Sequence, residues 1–220
     1  MKTNKEINSR SFNVSFSGTT AVTVMLIGNQ LICANVGDSR AILAFQKTLA
    51  QLSNLPLPKE YKNMPQEEKI WVALPLSRDH KPEDEDEKKR ILSNNGRVEP
   101  FREQNGNPIG PSRVWLRVEN IPGLAMSRSF GDKVASSVGV ISEPEIFETM
   151  LSSDDKFLVI ASDGIWEFLP NDEVVEMIVP YYEQNNPEGA CDHLIREAIL
   201  HWREEDEVID DITILVIFLH

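Results

Sequence analysis

A chain of 220 residues, 41% hydrophobic and 26% charged, is long enough to bury one well-packed domain and does not require a second. Asp and Glu number 35 against 22 Lys and Arg, a formal net charge of −13, which argues against nucleic acid or an anionic membrane surface as the main partner and favours divalent metals or basic partners. The start, Met1-Lys2-Thr3-Asn4-Lys5-Glu6, carries no apolar signal core, and the longest apolar run, residues 212–219, is too short to cross a bilayer; the expectation is an intracellular protein, cytoplasmic or nuclear, with no membrane span.

In chain order, residues 21–27 and 30–34 are β-rich runs separated by Gly28-Asn29, and a third run covers 41–45, a pattern that predicts an antiparallel meander. Residues 48–69 hold Pro56, Pro58 and Pro65 and read as an irregular, exposed connection to a strand at Trp71-Val72-Ala73-Leu74. Pro82 then opens a helix with Glu83, Asp84, Glu85 and Asp86 in its first turns and Lys88, Lys89 and Arg90 later, charges that run with the helix dipole; Asn95-Gly96 stops it. The acidic block lacks the Gly and terminal Glu of a calcium loop and reads as a solvated helix face. Residues 97–118, with Gly106, Pro108, Gly110 and Pro111, read as a loop-rich excursion of the kind that serves binding. A strand follows from Phe157, and Asn171 or Asp172 caps a helix with Val174, Val175, Ile178 and Val179 at helical spacing. A further helix over about 187–203 buries Ala190, Leu194, Ile195, Ala198 and Ile199, and a last strand closes the chain. Strands, then helices, then a strand imply an α+β layered fold. Cys33 and Cys191 have neither pairing nor metal spacing and are expected to be buried free thiols.

Four acids stand where an apolar strand meets a turn: Asp38 in Val36-Gly37-Asp38-Ser39-Arg40, Asp163 and Glu167 in the run from Ala161 to Glu167, and Asp210 in Asp210-Asp211-Ile212-Thr213. A strand fixes the backbone of such a residue and leaves its carboxylate free for a cleft, as a metal ligand requires. Hard Mg²⁺ and Mn²⁺ take oxygen donors, and two such ions about 3.5–4 Å apart activate a bridging water for phosphoester hydrolysis. Single acids of this kind are mostly ordinary turn residues; their company is more specific. Ser17-Gly18-Thr19-Thr20-Ala21, Ala34 to Ala41, Asp79-His80-Lys81-Pro82, Gly123 to Asp132, Ala161 to Glu167 and Asp210 to Thr213 together give a sequence that resembles the protein phosphatase 2C family of metal-dependent serine/threonine phosphatases, over about residues 17–218.

The resemblance implies a four-layer sandwich of two antiparallel sheets flanked by helices, a single domain over residues 1–220 that lacks its N-terminal part, and a flap-like region near 97–118. It implies Asp163 and Asp210 as ligands of paired catalytic Mg²⁺ or Mn²⁺ and Asp38 and Glu167 as donors to a third, weaker metal; Glu167 departs from the Asp common in the family. The expected substrate is phosphoserine or phosphothreonine in a protein. Arg128 and Asp132 read as a structural Arg with acidic partners, and His80 as a turn or packing residue. The family's Asp-Gly-His-Gly word, which would bring a metal-bridging Asp and the His that protonates the leaving group, is not in these residues, so activity of this chain by itself is open. The alternative reading is a catalytically inactive relative that acts as a binding or regulatory module.

Overall fold

The computed structural model describes residues 2–52, 64–103, 105–205 and 208–220. In chain order the elements are α1 (Lys2–Ser9), β1 (Gly18–Thr19), β2 (Ala21–Ile27), β3 (Gln30–Val36), β4 (Arg40–Thr48), β5 (Lys69–Pro75), α2 (Glu85–Ser93), β6 (Gly96–Arg102), β7 (Pro108–Leu116), β8 (Pro122–Leu124), β9 (Phe130–Gly131), α3 (Lys133–Ser136), β10 (Glu145–Met150), β11 (Asp155–Ala161), α4 (Asp163–Trp166), α5 (Asn171–Glu183), α6 (Pro187–Glu205) and β12 (Ile214–Phe218). Helices and antiparallel sheets in one chain make this the α+β class expected. The strands are ordered β1-β9, β10-β3-β2, β12-β11-β4-β5 and β6-β7-β8. The chain clusters into two compact units: residues up to Thr23 with Ala34–Ser39 and Arg78–Ile146, and Val24–Cys33 with Arg40–Ser77 and Phe147–His220.

The second unit is built on the antiparallel sheet β12-β11-β4-β5. Its central strands read as near-continuous apolar runs because both their faces are buried: Ala41, Ile42, Leu43 and Ala44 in β4, Phe157, Leu158 and Val159 in β11. Ile42, Ala44, Phe157, Val159 and Ala161 share one core with Val174, Val175 and Ile178 of α5 and Ala190, Leu194 and Ala198 of α6. The i, i+4, i+8 spacing of the α6 residues puts them on one stripe. Ile195 and Ile199, expected in that core, are only half-buried because they fall beside the stripe. Trp71, Phe157, Tyr182 and Phe218 meet ring to ring at 5.1–6.1 Å between centroids. Cys33 is buried, which pushes its thiol up to about 11, and Cys191 is half-buried.

Three expectations change here. Strand β4 does not continue a meander with β2 and β3; it pairs with β11 and β5, since an apolar strand buried on both faces takes its partners from distant chain as readily as from its neighbour. Helix α5 begins at Asn171 with Pro170 in the cap position and no side-chain cap, because proline has no side-chain acceptor to offer; the Asn171 amide oxygen accepts from Arg40. The 48–69 connection is not exposed where it leaves β4: Leu49 and Leu52 are buried with Ile70, while residues 53–63, Pro56 and Pro58 among them, lie outside the described residues.

In the first unit α2 packs on β6, joining Ile91 to Val114, Ala135, Val138 and Val140. Asn95 ends the helix in the left-handed region (φ 62°), and Gly96 follows because a Cβ there would lie 2.6 Å from Ile91 Cγ2. Most of the 97–118 stretch is strand rather than loop: β6 and β7 pair antiparallel from Gly96↔Leu116 to Arg102↔Pro108. Of the Gly and Pro that suggested a loop, Gly110 (φ 67°) and Pro111 sit unpaired in a bulge, where Pro100 faces Ser112 and Phe101 faces Ile109, Pro108 pairs with Arg102 at the start of β7, and Gly106 lies between the strands. The helix face of α2 is not wholly solvated either, since Glu87 is fully buried.

Candidate functional site

At one end of the four-stranded sheet, Ala161 closes β11 and is paired with Arg40, the first residue of β4, and Ile214, the first of β12. Ser162 then binds the two following loops together. Its N–H donates to Thr213 O at 3.0 Å, its hydroxyl donates to Asp211 O at 3.1 Å, and its Oγ accepts from Thr213 N–H at 3.0 Å. The next four residues form the single turn α4, which starts with Asp163; Glu167 N–H closes it on Asp163 O at 2.8 Å. Gly164 is required because a Cβ would stand 2.6 Å from Asp211 O. Trp202 Nε1 donates to Gly164 O at 2.8 Å, and Trp166 Nε1 donates to Ala161 O at 2.9 Å. The backbone carrying Asp163 is therefore fixed against the segment carrying Asp210, whose Oδ1 accepts from Asp211 N–H at 2.7 Å. Asp163 is half-buried; Asp210 and Glu167 are exposed.

Asp38 belongs to the first unit, where it is buried and its Oδ2 lies 3.1 Å from Lys81 Nζ. The turn before it is held from several sides. Gly37 has φ 108°, and a Cβ there would lie 2.3 Å from Thr20 Cγ2, so no other residue fits. Gly37 N–H donates to His80 Nδ1 at 3.0 Å, His80 N–H donates to Gly37 O at 3.0 Å, and Asn35 Nδ2 donates to the same oxygen at 3.1 Å. His80 is thus more than packing: it holds both backbone polar groups of Gly37, the residue that precedes Asp38. Accepting at Nδ1 leaves its proton on Nε2, 3.3 Å from Glu145 Oε2 but out of line for a hydrogen bond. Burial, and next the nearby Arg128 charge, lower its pKa below the ordinary 6.5, against the opposing pull of Glu87 and Glu145.

Arg128 is paired with an acid, as expected. Its Nη2 donates to Glu87 Oε1 at 2.7 Å, Arg90 donates to both Glu87 oxygens at 2.7 and 2.6 Å, and Ser127 Oγ completes the set. Burial alone would raise the Glu87 pKa, but the hydrogen bonds from Arg90, Arg128 and Ser127 outweigh it and hold it at about 2. Asp132 takes a different partner, accepting from Ser129 Oγ at 2.7 Å. Sequence reasoning passed over Glu87 and assigned no role to Arg40, although an acid amid Lys and Arg on a helix and an Arg directly after Gly-Asp-Ser were both visible.

Among the described residues no three His, Cys, Asp or Glu side chains converge as a metal-ligand set. Asp163 and Asp210 come from loops bonded to each other and supply hard oxygen donors, a number that suits one Mg²⁺ or Mn²⁺ with water in its remaining positions and does not make up the ligands of a metal pair.

Residues 1–206 match the family model described as protein phosphatase 2C. "Probable protein phosphatase 2C 72" of Arabidopsis thaliana is 36% identical over 218 residues, 98% of this chain and 58% of that protein. "Probable protein phosphatase 2C 35" of the same plant is 33% identical over 231 residues, 99% of this chain and 60% of that protein. The chain therefore spans about 60% of the length of these relatives. The crystal structure of serine-threonine phosphatase 2C from Toxoplasma gondii shares the fold, with a TM-score of 0.72 at 20% identity over 99% of this chain and 61% of that one. A C. elegans sex determining protein does so with a TM-score of 0.62 at 19% identity, covering 92% of this chain and 40% of its own. A family model that matches residues 1–206, and relatives about one third identical over nearly all of this chain, make it a member of the protein phosphatase 2C family.

Proposed function

We propose that the protein hydrolyses phosphoserine and phosphothreonine in protein substrates with Mg²⁺ or Mn²⁺, and that this chain carries the Asp163 and Asp210 part of the metal centre. The observation that supports this most directly is the three-bond linkage from Ser162 to Asp211 and Thr213, which keeps two carboxylate-bearing loops side by side at the end of the sheet. A bound metal supplies a water of lowered pKa and a Lewis acid for the phosphoryl oxygen. The chain's own part is to hold donors in place: Gly164 lets α4 approach Asp211 closely, and Trp202 pins its backbone. Exposed Glu167 offers a further oxygen one turn beyond Asp163. Asp38, in the first unit, is the other acid the family resemblance assigns to metal, and Lys81 neutralises it there.

The test is Mn²⁺-dependent phosphate release from a phosphothreonine peptide by the full-length protein and by Asp163→Asn. Loss of at least about 100-fold is expected for the variant, since replacing even an outer partner of a metal ligand costs about 10–100-fold. Turnover that survives the substitution would refute the assignment.

A further inference from the structure

Arg40 opens β4 opposite Ala161, so a permanently charged guanidinium stands at the strand end two residues before Asp163. It is held in two ways within the second unit. Nη1 donates to Asn171 Oδ1 at 2.7 Å, and Cζ lies 5.1 Å from the centroid of the Trp166 ring. Trp166 is itself buried and bonded to Ala161 O. Because Asp163 and Trp166 are the first and last residues of a single helical turn, the orientation of one sets that of the other. Arg40 therefore spans three structures: the start of β4, the end of α4 and the first residue of α5.

We propose that Arg40 is a positioning residue for Asp163: by stacking on Trp166 and holding Asn171 it keeps α4 in the orientation from which the Asp163 carboxylate meets a divalent cation. The proposal rests on the metal reading above and deepens it by assigning a role outside the ligands. Lys cannot replace it, because an ammonium neither stacks as a plane on an indole nor donates from a rigid fork. Asn171 is the second part of the same device. Its amide oxygen, on the first residue of α5, is committed to Arg40.

The experiment titrates Mn²⁺ into this chain by calorimetry and records the metal-free melting temperature of the same samples, for the unaltered chain, Arg40→Lys, Asn171→Ala and Asp163→Asn. Arg40→Lys is expected to weaken Mn²⁺ binding about tenfold, the scale found when an outer partner of a metal ligand is removed. Asn171→Ala, which keeps the arginine and loses one hydrogen bond, should weaken it in the same direction by a smaller factor. A merely structural Arg40 would lower the melting temperature and leave the Mn²⁺ affinity of the folded protein unchanged, and that result overturns the proposal. If Arg40→Lys does not fold, Asn171→Ala decides by the same criterion. Loss of binding in Asp163→Asn with Arg40→Lys and Asn171→Ala unaltered defeats the proposal alone; an unaltered chain that binds Mn²⁺ no better than Asp163→Asn defeats the metal reading and the proposal together.

Discussion

Glu87→Gln tests how far one buried carboxylate supports the first unit. In the folded chain Glu87 has no exposed surface and takes hydrogen bonds from Arg90, Arg128 and Ser127, which hold its pKa at about 2 against an ordinary 4.5. At 1.36 kcal/mol per pKa unit that gap corresponds to about 3 kcal/mol. A folded pKa below the unfolded one means the contribution is complete above pH 4.5 and is lost as the pH falls towards about 2. The glutamine variant keeps the shape but leaves two guanidinium groups without their carboxylate, a change of about 3–5 kcal/mol when a buried pair is broken. Urea unfolding of both proteins at about pH 7, 4.5 and 3 measures the difference directly. It should be about 3 kcal/mol at neutral pH and shrink steadily in acid. A difference that stays constant over this range, or one below about 1 kcal/mol at neutral pH, would refute the reasoning.

His80 should give a second, separate pH window. Its folded pKa lies below 6.5, so its contribution is complete above that value and fades as the pH falls through the lower folded pKa; His80→Gln should flatten the stability profile below pH 6.5 and leave its shape above that value unchanged, read by urea midpoints. Gly164→Ala forces a Cβ to within 2.6 Å of Asp211 O and should cost about 1–3 kcal/mol, or a melting temperature lower by about 2–4 °C per kcal/mol, with weaker Mn²⁺ binding as the Asp210 segment moves. Leu194→Ala opens a void in the core of the second unit and should cost about 2–5 kcal/mol by denaturant unfolding with no change in Mn²⁺ affinity.

What the sequence disclosed was whatever local periodicity controls. The apolar run from Phe157 and the i, i+4 spacing of Ala190, Leu194 and Ala198 marked β11 and α6 correctly because burial alone writes those patterns. The partners of β4 were hidden, since pairing with β11 across more than one hundred residues leaves no mark near Ala41. The hairpin β6–β7 was hidden for the opposite reason: Gly110 and Pro111 are turn residues by habit, and here they form a bulge inside a strand. Glu87 looked like one more charge on a wet helix, because the guanidinium groups that bury it include one from residue 128. For the site, the Asp163 and Asp210 words were legible as strand-end carboxylates, whereas Ser162, which links them, carries no signal that separates it from any other serine.

The Ser162 linkage also governs how this region can be exchanged between proteins. Its hydroxyl gives to a backbone carbonyl of the Asp210 loop and takes from a backbone N–H of it, so a graft that removes the hydroxyl at 162 strands both groups, whereas the side chains at 211 and 213 take no part in the linkage. What an exchange of this region must keep is the hydroxyl at 162, the glycine at 164 and the backbone path of residues 210–213, which together flank the β11–β12 register that ends at Ala161 and Ile214.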